Sequence, residues 1–197
     1  MLGKVDSSFQ TEQRDLFASG VVAEIGVNAY AVWSAIKYHA DFNTGHAWPG
    51  MRHLGDLIGL SKSAVSRAVD VLEKAHMLRV VKAANRRRGQ TYIARERISV
   101  RLGDIVLCVV VIDYVPAQVR NRINRIEQAL AVGEHDPDAF AEVEIIPGDG
   151  FVWDPASKVL RSKVPVRNIP APIEDNDPAK QVGEAILKRL APRLRGK

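Results

Sequence analysis

The chain has 197 residues, 46% of them hydrophobic, enough to fill a core in one large domain or two small ones. Its longest apolar run, 105–112, falls far short of a membrane span, and no apolar region follows the charge at the N-terminus, so neither membrane insertion nor export is expected. The net charge of +5 is unevenly placed, because residues 51–101 hold 12 Lys and Arg against 4 Asp and Glu while the rest of the chain holds 16 against 19. A positive field confined to one segment attracts a polyanion and releases its counterions on contact; the alternative is a merely soluble basic face. The single cysteine, Cys108, lies inside the apolar run with no partner, which fits core packing in a reducing, cytoplasmic setting.

In chain order, 9–19 can form a short helix with Phe9, Leu16 and Phe17 as its apolar contacts, ending near Gly20. A helix over 28–40 follows, with Asn28 as N-cap and Tyr30, Trp33, Ile36 and Lys37 alternating core and surface. Pro49 suits a first helical turn, and Leu54, Leu57 and Ile58 form the stripe of the next helix, which stops at Gly59. After a turn at 59–61, Ser61 can cap a further helix by accepting from the amide of Ser63 or Ala64. Ala64, Val65, Ala68, Val69 and Leu72 then recur at the spacing of one buried face, ending near Ala75.

With that stripe inward, Lys62, Ser63, Ser66, Arg67 and Asp70 are left on the outer side next to Ser61, mostly in the first two turns, where a recognition helix meets base edges. Taken alone the pattern also fits a solvated amphipathic helix in any bundle. Strands at 79–82 and 91–94 follow, and between them Arg86, Arg87, Arg88 and Gly89 make a hairpin tip suited to phosphates or a narrow minor groove. Two helices across a tight turn, followed by a cationic hairpin, define a winged helix-turn-helix.

The run Trp48-Pro49, Leu54, Leu57-Ile58-Gly59-Leu60-Ser61, Val65, Arg67, Ala68-Val69, Leu72 and Met77-Leu78 resembles the winged helix-turn-helix modules of plasmid and phage proteins, over about 28–96. Beyond it, Arg95-Glu96-Arg97-Ile98, the segment 105–113 and Ile145-Ile146-Pro147-Gly148 are similar to the small replication proteins of broad-host-range plasmids. The resemblance implies binding to repeated origin or operator DNA, and so control of replication or of transcription.

Ile98, Val100 and Leu102 alternate with polar residues, Gly103-Asp104 makes a turn, and 105–112 reads as a strand covered on both faces. Pro116 can open a helix to about 132 in which Val119, Ile123, Ile126 and Leu130 form a stripe that serves either the core or a dimer seam, with Arg120, Arg122 and Arg125 mostly outside. Strands are expected at 142–146 and 151–153, a proline-containing linker at 167–177, and a last basic helix striped by Val182, Ile186 and Leu190. The expected fold class is α+β: a winged helix-turn-helix domain over 1–97, a small α/β domain for core or dimerisation over 98–166, and a linker with a basic amphipathic helix over 167–197.

No glycine-rich loop followed by Lys-Ser/Thr is present, and the five histidines and single cysteine show no metal-ligand spacing. Tyr114, at the end of an apolar strand, reads as a cap of the core rather than a nucleophile. No catalytic residue, metal or cofactor is therefore assigned. The expected function is sequence-specific binding of double-stranded DNA by a homodimer that controls plasmid-type replication and meets replication or transcription machinery. The alternatives are a transcriptional repressor on an operator and a protein-interaction module for an acidic partner.

Overall fold

The computed structural model describes residues 10, 12–82, 90–132 and 140–163. The chain is α+β. It opens with α1 (Asp15–Ala18), α2 (Val21–Ile25) and α3 (Val27–Tyr38), then β1 (His46–Ala47), α4 (Met51–Ile58) and α5 (Lys62–Lys74). Strands β2 (Leu78–Lys82), β3 (Gln90–Leu102) and β4 (Ile105–Asp113) follow, then α6 (Val119–Val132) and β5 (Glu144–Pro147), β6 (Phe151–Asp154) and β7 (Val159–Ser162).

The helix expected over 9–19 is one turn within its described part, with Leu16 buried and Phe17 exposed. A separate helix, α2, succeeds it. Gly26, rather than Asn28, precedes α3; its φ of 82° lets the chain break α2 and restart in a new direction. Pro49 stands before α4 instead of inside it, with Gly50 at the N-cap. Leu54 is buried, but Leu57 is 49% exposed, so the inward face of α4 is narrower than its three apolar residues suggest.

The turn between α4 and α5 rests on two glycines. Gly59 ends α4 at φ 73°, and a Cβ on Gly55 would lie 2.3 Å from the Leu60 carbonyl oxygen. That closeness brings the Leu60 amide onto the Gly55 carbonyl at 2.9 Å. Helix α5 then begins as its sequence dictates, with Ser61 Oγ accepting from the Ala64 amide at 3.2 Å.

Strand β3 is the spine of the sheet. Its first residues pair antiparallel with β1 on one edge (Ala47 opposite Tyr92) and β2 on the other (Val80 opposite Tyr92). From Arg95 onward it pairs with β4 around the Gly103-Asp104 turn, and β4 pairs in turn with β5. Strand β3 thus runs unbroken across 97–98, and the described residues up to Leu160 belong to one compact unit. Strands β6 and β7 form a separate two-stranded sheet.

One continuous core joins the helices to the sheet, from Val32, Trp33 and Ile36 of α3 through Val65 and Leu72 of α5 to Tyr92, Val110 and Ile112. Each fully buried Val, Leu or Ile contributes about 1.5–3 kcal/mol from leaving water, so these side chains hold α5 in place. Strand β4 is covered mainly toward its C-terminal end, where Val110, Val111 and Ile112 are buried, whereas Ile105 is exposed and Val106 and Leu107 are half-buried. In α6, Val119 and Ile126 lie in the chain's own core and Ile123 packs against it, which is the core reading of that stripe; Ala129 is buried in the last turns while Leu130 is 45% exposed.

Two charges sit inside this core. Lys37 Nζ is 2.6 Å from Glu96 Oε1, and it stands over the Trp33 ring at 4.1 Å and the Tyr114 ring at 4.2 Å. Glu96 Oε2 accepts from Gln13 Nε2 at 3.1 Å. Burial pushes the Lys37 ammonium down from its ordinary value, opposed by the Glu96 charge.

A second, more open network crosses the sheet. Glu144 holds His76 Nδ1 and Arg95 Nη1, each at 2.6 Å, while Arg95 and Arg79 both meet Asp113. It ties the start of β2 to β3, β4 and β5. The linker at 167–177 and the last basic helix lie outside the described residues.

Candidate functional site

Helix α5 presents two opposed faces. Val65, Ala68, Val69 and Leu72 are buried against α3 and α4, which fixes the helix and turns the remaining residues outward. Ser61, Lys62, Ser63, Arg67 and Asp70 are exposed, and Ser66 is half-buried. All six therefore stand on or beside one solvent face. Ser61 Oγ and Ser63 Oγ are 3.0 Å apart, so the first turn carries a small hydroxyl cluster next to Lys62.

Neither Lys62 nor Arg67 enters an ion pair among the described residues. Two cations of the sheet behave differently, since Arg79 and Arg95 are each held by a carboxylate. Two unpaired, exposed cations on a rigid helix remain available to an external anion. Arg67 also borders a recess of about 180 Å³ against Ile25, Asn28 and Ala29, where α5 meets the α2–α3 junction.

Lys62 lines a groove of about 480 Å³ with Trp48, Pro49, Gly50, Arg52, Gln90 and Tyr92. This groove joins three elements: the first turn of α4, the first turn of α5 and the foot of the β2–β3 hairpin. Arg52 and Lys62 supply two cations to it, and Trp48 is 59% exposed, its ring edge-on to His46 at 6.0 Å. Gly50 offers no side chain to cap α4, so the first amides of that helix add donors to the same end.

Trp48 and Arg52 belong to this surface although α5 alone does not reveal them. Their signal in the sequence is an aromatic just before Pro49-Gly50 and a cation in the first turn of the helix that follows. Strands β2 and β3 come into register at Lys82 opposite Gln90. Arg86, Arg87, Arg88 and Gly89, in the connection between those strands, lie outside the described residues.

The face offers hydrogen-bond donors, hydroxyls and an aromatic plane. No group of three or more His, Cys, Asp or Glu that could hold a metal occurs among the described residues. Tyr114 is buried beside Lys37, away from this surface, and burial pushes the Cys108 thiol above its ordinary value. No described helix is long and apolar enough to cross a membrane. No family model, curated protein or solved structure matches the chain.

Proposed function

We propose that this chain binds double-stranded DNA in a sequence-specific way, with α4, the turn and α5 as a helix-turn-helix and the β2–β3 hairpin as its wing. The observation that carries this reading is the pair of faces on α5, one locked into the core and the other exposing Lys62, Ser63 and Arg67 with no ion-pair partner among the described residues. Lys62, Ser63, Ser66 and Arg67 read base edges in the major groove. Arg52 and the sequence Arg86-Arg87-Arg88 hold the flanking backbone or minor groove.

The protein acts as a homodimer on repeated or inverted sites in the control of plasmid-type replication. Because Val119 and Ile126 of α6 are committed to the chain's own core, the two-fold contact uses other surface. Selection of bound duplexes from a random pool at stated salt tests the reading. Enrichment of a defined motif with paired half-sites supports it, and a pool that stays random overturns it. Footprinting on origin repeats and on a promoter operator then separates replication control from repression.

A further inference from the structure

A concavity of about 540 Å³ lies between β4, β5 and the β6–β7 hairpin, away from α5 and unused by the function proposed above. Its walls are apolar, with Val110 from β4, Ile145 from β5, Trp153 from β6, Leu160 from β7 and Phe140 ahead of β5. Apart from Val110, these five side chains are only half-buried. The concavity thus keeps oily surface in contact with water, and its volume falls in the range of small-molecule sites.

Among the described residues that line it, Lys158 is the one charged side chain, and none is Asp or Glu. It is exposed and enters no ion pair among the described residues. An anionic head group would gain the attraction of that ammonium at the rim, a neutral one would leave it to water, and a cationic one would be repelled. We infer that this concavity is a binding site for a small amphipathic carboxylate, its apolar body between Trp153, Ile145 and Val110 and its carboxylate on Lys158. The inference stands apart from the DNA-binding reading and does not depend on it.

Decanoate, decanol and decyltrimethylammonium, each below its aggregation threshold, serve as probes for calorimetric titration of the full chain. The expected result is saturable one-to-one binding of decanoate, weaker binding of decanol and none of the cation. Lys158→Gln should weaken decanoate about fivefold, as expected for a partly exposed charge pair, and leave decanol unchanged. Val143→Phe, which enlarges a half-buried lining residue, should weaken both carboxylate and alcohol while the circular dichroism spectrum stays that of the parent. Absence of saturable decanoate binding overturns the inference. So does equal decanoate affinity in the parent and Lys158→Gln, or full affinity in a folded Val143→Phe.

Discussion

Lys37 of α3 and Glu96 of β3 form a buried ion pair, 2.6 Å apart, whose carboxylate is shared with Gln13 and whose ammonium lies between the rings of Trp33 and Tyr114. The pair joins the helical half of the chain to the sheet at its middle strand. Removing one member leaves the other as an uncompensated buried charge, so Lys37→Met or Glu96→Leu alone should cost about 3–5 kcal/mol. Lys37→Met combined with Glu96→Leu should recover most of that loss. A double-mutant cycle measured by denaturant unfolding checks this, and additive losses in the double variant would show that the two charges act separately.

Gly55 controls the angle between α4 and α5. Gly55→Ala places a Cβ 2.3 Å from the Leu60 carbonyl oxygen, which is backbone and cannot swing aside, so the turn must open and α5 must tilt. DNA affinity should fall more than stability does. Gly59→Ala, in contrast, meets no neighbour and carries only the left-handed strain of about 1–2 kcal/mol. Thermal unfolding set beside duplex binding for the two variants distinguishes these effects.

Arg67→Ala should cost about 1–3 kcal/mol on a selected site and relax base preference at one position. Arg52→Ala, at the groove beside Trp48, should weaken cognate and random duplexes alike and flatten the dependence of affinity on salt. Unchanged preference after Arg67→Ala would remove α5 from the reading role.

Acid should destabilise the fold in two steps. Burial, with the neighbouring His53 charge, holds His39 below its ordinary value, so the folded chain binds that proton less readily than the unfolded chain. Stability from this source is full above about pH 6.5 and is lost as pH falls below it. Burial pushes Glu144 up, but the hydrogen bond and charge of Arg95, together with His76, outweigh it and hold the carboxyl below its ordinary value. Its contribution is present above the ordinary carboxylate range and is lost as pH falls through it. Unfolding midpoints across pH should therefore drop first near the histidine range and again in the carboxylate range, and His53→Gln should shrink the first drop.

Much of α5 is legible in the sequence. Its cap, length and buried face follow from Ser61 and the spacing of Ala64, Val65, Ala68, Val69 and Leu72, and the structure has each of them except Ala64, which is half-buried at the edge of that face. Leu57 is different, because a helix of eight residues can bury a narrow face, and Leu54 with Gly55 fills the one against α5. The break between α2 and α3 rests on the φ of Gly26, which no hydrophobic period records.

Lys37 and Glu96 escape a reading that sends charges outward. Yet Tyr92, Ala94, Glu96 and Ile98 are alternate residues of β3, all buried, so the strand period itself places the carboxylate inside. Of the candidate site, the polar face of α5 follows from its own periodicity. Trp48 and Arg52 join it because they line one groove with Lys62 and Gln90, a meeting of distant segments that the local pattern around Pro49-Gly50 does not specify by itself.

The unbroken course of β3 means that the helical half cannot be cut away from the sheet. A fragment ending at 97 would lose β4 and with it Tyr114, removing one of the two rings over Lys37 and the core side chains Val110 and Ile112. The portion expected to touch DNA is thus braced from behind by the portion that follows it, and a minimal functional fragment must extend through β4.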